Sequence, residues 1–238
     1  MDQTKWIVTL AGAIGTMLVA GSASAQVQSK DEATEGASNK RLAPATNAIE
    51  FTIGTGYEQG FGKFASGQPS LTDVGTAGGA VQVGMGYRVI PRLTLGLYGS
   101  GAMFGRGDQV DSSADLYSAA AGFQADWHFL PGGHLLDPWI SLGGGWRGYW
   151  ISANSGNTSI QGMEIAKLQV GVDYRIAQSV SVSPVVGIDL SSFFTQSTPE
   201  TNRFTNIANP DVNTFLFAGM MGRFDLGLGS RHQEMASR

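Results

Sequence analysis

Side chains able to do nucleophilic, acid–base or metal chemistry are sparse in this 238-residue chain, which has no cysteine and three histidines, His128, His134 and His232. Without a thiol there is no thiolate nucleophile, no disulfide framework and no site for lipid attachment. His128 follows Asp126 by two residues and reads as a hydrogen-bonded plug residue rather than half of a catalytic dyad. Asp108, Asp111 and Asp115 lie close together in a polar stretch and read as an exposed acidic loop. The glycine-rich stretches around Gly54, Gly84 and Gly143 sit inside apolar alternation with no helix to follow, so a phosphate-binding loop is not expected. No metal-ligand spacing stands out, and no catalytic residue, cofactor or metal is expected.

The remaining charges say more by their placement. Arg88, Arg147, Lys167, Arg175 and Arg223, with Asp126, His128, Asp173, Asp189 and Asp225, fall on the polar side of an every-other-residue alternation. That period of two belongs to strands with one apolar and one polar face. In a narrow closed sheet with the polar face inward, five cations and four acids nearly balance, and they must pair because an unpaired charge away from water is costly. An interior ion-pair network is therefore expected; the alternative is a selectivity or gating element for a small permeant.

Eight segments carry the alternation. They span roughly 48–57, 77–88, 92–104, 117–129, 138–151, 162–176, 179–190 and 213–228. In the clearest, Tyr117, Ala119, Ala121, Phe123, Ala125, Trp127 and Phe129 oppose Ser118, Ala120, Gly122, Gln124, Asp126 and His128. The links at 89–91, 130–137 and 177–178 are short, whereas those at 58–76, 105–114, 152–161 and 191–212 are long. Short turns at one end and long loops at the other suit an up-and-down barrel with both termini on the short-turn side. Tyr87, Trp127, Phe129, Trp139, Tyr174 and Phe224 fall near the short turns, and Tyr57, Tyr117, Trp146, Trp150, Phe193 and Phe194 near the long loops. Two aromatic girdles are expected, one at each membrane interface.

The flanks have other jobs. Residues 1–25 read as a cleaved secretory signal peptide: Lys5, an apolar run through Ala20, and the small-x-small site Ala23-Ser24-Ala25. Residues 26–47 are polar and without aromatics, the composition of a flexible tail, and 229–238 form a polar C-terminal extension beyond the barrel at 48–228.

Alternation alone does not choose between a soluble barrel and a membrane one; the polar faces do. They carry glycine, serine and alanine with few charges, and charged residues are 14% of the chain, below the roughly 25% of soluble domains. A net charge of −4 offers no basic field, so nucleic acid is not an expected partner. With the strands AGGAVQVGMGYR, SAAAGFQADWHF and KLQVGVDYR, the chain resembles the small bacterial outer-membrane β-barrels of the OmpA, OmpX and OmpW type over about residues 48–228. The resemblance implies an all-β, eight-stranded antiparallel transmembrane barrel, exported to the outer membrane with periplasmic termini. It also implies outer-membrane lipid and lipopolysaccharide as surroundings and the outer-membrane assembly machinery as a partner. Those families end on an aromatic residue; here Phe224 and Leu226 alternate suitably but Ser230 to Arg238 follow. Eight strands leave an interior wide enough for side chains or one small ligand, which excludes a wide pore. The small inward residues Gly78, Ala80, Ser118, Ala120, Gly122 and Gly143 either leave a pocket or are filled over by Arg147, Tyr149 and Lys167. The expected function is a non-catalytic structural, envelope-stabilising or surface-interaction role, and the alternative is a narrow channel or binding barrel for a small molecule.

Overall fold

In a computed structural model, residues 47–131, 134–177, 179–200 and 203–227 are described. The stretch that reads as a signal peptide, nearly all of the expected N-terminal tail, and the expected C-terminal extension with His232 lie outside those residues. Eight long strands form: β1 (Ala48–Phe61), β2 (Gly75–Ile90), β3 (Leu93–Arg106), β4 (Asp115–His128), β5 (Leu136–Ala153), β6 (Gly156–Ala177), β7 (Val180–Ser197) and β9 (Val212–Gly227). A one-turn helix α1 (Leu71–Val74) precedes β2, and the two-residue strand β8 (Thr205–Asn206) pairs with β7 before β9 begins.

Each long strand is antiparallel to its sequence neighbour, and β9 returns to pair with β1, so the sheet closes. Phe51, for example, lies opposite Met85 on one side and Phe224 on the other. Closure leaves no edge among the long strands, which satisfies the backbone hydrogen bonds that lipid cannot. Where strands approach closely the sequence supplies glycine: Gly122 faces Gly145 across β4 and β5, and a Cβ on Gly122 would lie 2.1 Å from the Gly144 carbonyl oxygen.

Burial is inverted relative to a water-soluble protein. Large apolar side chains such as Val81, Phe123, Leu142, Val186 and Leu226 are more than half exposed, while Glu50, Arg88, Arg147 and Glu164 are buried. An exposed apolar wall of this extent needs lipid around it. Among the described residues no helix is long and apolar enough to cross a membrane. Trp127, Tyr87, Tyr174 and Phe224 do face outward toward the short turns, and Tyr57 and Trp146 toward the long loops. Trp139 and Phe193 correct the girdle expectation, because both rings are buried in the lumen.

The strands outrun the sequence expectation at the long-loop end. The supposed long link at 152–161 is instead a tight hairpin through Asn154 and Ser155, with Gly156 at φ +131° supplying a conformation other residues rarely adopt. At about 3.3 Å per residue and a tilt near 40°, strands the length of β5 and β6 rise about 45–55 Å, roughly twice the height of a barrel's apolar band. This hairpin therefore stands clear of the membrane. The polar alternation at Asn157, Ser159 and Gln161 has too little apolar contrast to be read as strand from sequence.

Candidate functional site

The lumen holds two arginine-centred clusters. In the first, Arg147 on β5 donates to Glu58 of β1 at 2.7 Å, to Glu164 of β6 at 2.9 Å and to Asp189 of β7 at 2.7 Å. Its guanidinium lies 4.2 Å from the Phe215 ring centre. Tyr98 donates to the other Glu164 oxygen at 2.8 Å, and Lys167 sits 3.7 Å from Asp189 and 4.7 Å from the Tyr98 ring centre. One buried cation thus binds three carboxylates from three strands, with an aromatic face beneath it.

The second cluster lies nearer the short turns. Arg223 on β9 donates to Glu50 at 2.6 Å and Asp126 at 3.2 Å, its Nε is 3.2 Å from Asp173, and its guanidinium is 4.1 Å from the Trp139 ring centre. Arg88 joins Glu50 in a short contact and Asp225 at 3.2 Å, and Arg175 reaches Asp225 at 3.3 Å. Between the clusters Gln169 donates to Gln82 at 2.9 Å across the lumen.

At the short-turn end of the second cluster His128, Asp137 and Asp173 converge. His128 Nδ1 is 3.0 Å from Asp137 Oδ2 and 3.8 Å from Asp173 Oδ2. The partner of His128 is thus Asp137, not the sequence neighbour Asp126, whose carboxylate belongs to Arg223 and to Gln124.

Toward the long loops the lumen is apolar. Phe64, from the β1–β2 loop, packs on Tyr149 at 5.5 Å and Phe193 at 5.2 Å between ring centres, and Phe104 meets Tyr149 at 5.5 Å. Leu71 and Val74 of α1 join this cluster. The helix is held by Ser70, whose side chain accepts from the Thr72 N–H, and by Asp73, whose carboxylate accepts from the Ser70 N–H. The space over Ala80, Ser118 and Ala120 is filled by this plug with Arg147, Tyr149 and Lys167, all buried. A small polar cavity lies lower, beside Glu50, Thr52, Thr94, Gln124 and Asp126.

All ten polar residues singled out from sequence, Arg88, Asp126, His128, Arg147, Lys167, Asp173, Arg175, Asp189, Arg223 and Asp225, are buried in the lumen. The near balance of charge is corrected: Glu50, Glu58, Asp137 and Glu164 are buried there too, so among the described residues eight carboxylates face five guanidinium and ammonium groups and one imidazole. Glu50 lay on the polar face of its segment and was legible. Glu58 and Asp137 fall in stretches, 58–76 and 130–137, that read as links from sequence. Glu164 was hidden by a register shift between Glu164 and Ala166, which moves it from the lipid parity of β6 to the lumen parity.

The exposed acidic loop stands apart. Asp111 accepts from the Ser113 N–H at 2.8 Å and Oγ at 2.9 Å, bonds that hold its carboxyl below the usual range, and Asp115 is 3.4 Å from Arg106.

No protein-family model and no curated protein sequence matches the chain significantly. Solved structures do. Surface protein A of Neisseria is similar at a TM-score of 0.50 and 13% identity, covering 74% of this chain and 96% of that one. The outer-membrane protein OprG of Pseudomonas aeruginosa is similar at 0.46 and 11% identity, covering 77% and 98%. Closed antiparallel pairing, an apolar exterior and the Neisseria likeness lead to one fold: this chain is an eight-stranded β-barrel of the kind found in the bacterial outer membrane.

Proposed function

We propose that this barrel is a closed, non-catalytic component of the outer membrane, with a structural, envelope-stabilising or surface-interaction role carried by its long-loop end. The observation behind this reading is the filled lumen: two arginine clusters and an aromatic plug succeed one another along its axis. A plugged interior turns the barrel into a rigid support, and the β5–β6 hairpin then offers polar, solvent-facing strand well beyond the lipid. Export by a cleaved signal peptide, periplasmic termini, insertion by the outer-membrane assembly machinery, and lipid with lipopolysaccharide around the wall belong to the same proposal. His128, with no accessible surface and at the short-turn end, is poorly placed for attack on a lipid or peptide in the outer leaflet.

Planar-bilayer recording of the refolded barrel tests the reading. The expected result is no reproducible unitary conductance. Small channels that close on substitution of Arg147 or Lys167 would replace it with a narrow passage for a small molecule.

A further inference from the structure

The structure assigns to His128, Asp137 and Asp173 a site for one divalent transition-metal ion of the zinc class, at the short-turn end of the lumen. The first observation is a juxtaposition that the sheet itself enforces. Asp137 and Asp173 are directly opposite one another on β5 and β6, both point inward, and both are buried. Like charges so placed are destabilising unless a positive group lies between them.

The second observation is the orientation of the atoms. Asp137 Oδ1 accepts from the Leu130 N–H at 2.9 Å, and Asp173 Oδ1 accepts from the Ser183 hydroxyl. Each carboxylate has one oxygen fixed by a donor and turns the other toward His128 Nδ1. Asp173 Oδ2, buried, has no hydrogen-bond partner among the described residues. Fixing the outer oxygen and presenting the inner one is how neighbouring hydrogen-bond donors prepare carboxylate ligands for a metal.

Distances and donor types then select the ion. The three ligand atoms lie within 4.8 Å of one another, with His128 Nδ1 at 3.0 and 3.8 Å from the two oxygens. A tetrahedral ion with bonds of about 2.0–2.1 Å holds its ligands about 3.4 Å apart, between those two values. One imidazole with two carboxylates favours zinc and its first-row neighbours over calcium or magnesium, which take oxygen-only sets.

Charge agrees. Among the described residues the salt bridges of the lower cluster, with His128, join five carboxylates, Glu50, Asp126, Asp137, Asp173 and Asp225, but three guanidinium groups, Arg88, Arg175 and Arg223. Two negative charges are left over, the number that one divalent ion neutralises while His128 binds as a neutral ligand.

The test is zinc itself. The full-length mature chain, without an affinity tag, is refolded from urea into detergent with zinc and passed through gel filtration, and its metal content is measured. About one zinc per chain is expected. His128→Ala and Asp173→Asn should fall to background while retaining the heat-modifiable gel shift of a folded barrel, and the double variant His134→Ala, His232→Ala should keep its zinc. Ser183→Ala, which removes the hydroxyl that fixes Asp173 Oδ1 and that also accepts from Trp139 Nε1–H at 3.3 Å, should weaken zinc binding about tenfold. Cobalt in place of zinc should give the intense visible bands of a four- or five-coordinate site. A zinc-free wild type, zinc retained by His128→Ala, or the pale spectrum of octahedral cobalt would each overturn the assignment. Should His128→Ala fail to fold, Asp137→Asn serves in its place.

Discussion

The two arginine clusters use the same parts to different ends. Each has a buried guanidinium over an aromatic ring and three carboxylates from different strands. Around Arg147 all three carboxylates are held at 2.7–2.9 Å and none of its nitrogens is without a hydrogen-bond partner; the unpartnered atoms there, Lys167 Nζ and Asp189 Oδ1, lie at the cluster's margin. Around Arg223 the contacts stretch to 3.2 Å, and Asp126 Oδ1, Asp173 Oδ2 and Arg223 Nε have no hydrogen-bond partner among the described residues. A buried network whose central cation is fully satisfied locks its strands together, and one whose central cation and ligating carboxylates carry orphaned atoms has capacity to spare. The upper cluster is thus a fastening, and the lower one has the character of a site.

The largest expected effect comes from breaking the fastening. Arg147→Ala strands Glu58, Glu164 and Asp189, whose remaining donors are Ser118 at 3.5 Å, Tyr98, and Lys167 beyond hydrogen-bond range. Removing one partner from a buried ion pair costs about 3–5 kcal/mol, and this change takes the guanidinium from three carboxylates at once. Urea titration in detergent, followed by tryptophan fluorescence and the heat-modifiable shift, should place Arg147→Ala at or above the top of that range. Arg223→Ala comes next. Its carboxylates retain other donors: Arg88 on Glu50, Gln124 on Asp126 and Ser183 on Asp173. A loss of about 3 kcal/mol is expected, at the lower end of the same range. If Arg223→Ala proves the more damaging, the division into fastening and site is wrong.

Sequence and structure agree best where the alternation is unbroken. In β4, and in β7 as far as Leu190, nearly every inward and outward assignment can be read from the period of two, because lipid selects one face strongly and neither stretch carries an extra residue; the residue of β7 that its pairing with β6 skips, Phe194, lies beyond it. They part at places where the period fails or changes meaning. Phe215 and Phe217 on β9 have the lumen parity, yet nothing local distinguishes an aromatic that plugs a barrel from one that faces lipid; the difference lies in Phe64, Leu71 and Val74, delivered from a loop far away in sequence. Trp139 reads as a girdle residue from its position near a short turn, but it shares the inward parity of Asp137 and Ser141 and meets Arg223 in the lumen. The histidine cluster was out of reach of spacing altogether, since register alone brings Asp137 opposite Asp173.

The smallest change isolates one hydrogen bond of the fastening. Tyr98→Phe removes the hydroxyl that donates to Glu164 at 2.8 Å but leaves the ring, so the contact with Lys167 4.7 Å above it persists. Arg147 still holds the other Glu164 oxygen. A hydrogen bond to a charged acceptor contributes about 1.5–3 kcal/mol, and with the arginine in place the loss should sit near the bottom of that range. Combining Tyr98→Phe with Arg147→Ala then gives a direct measure of how tightly the parts are coupled. If the tyrosine matters only by supporting the arginine's grip on Glu164, the double variant should lose less than the two single variants together. Strict additivity would mean that Tyr98 and Arg147 act on Glu164 independently, and that the upper cluster is three separate pairs rather than one fastening.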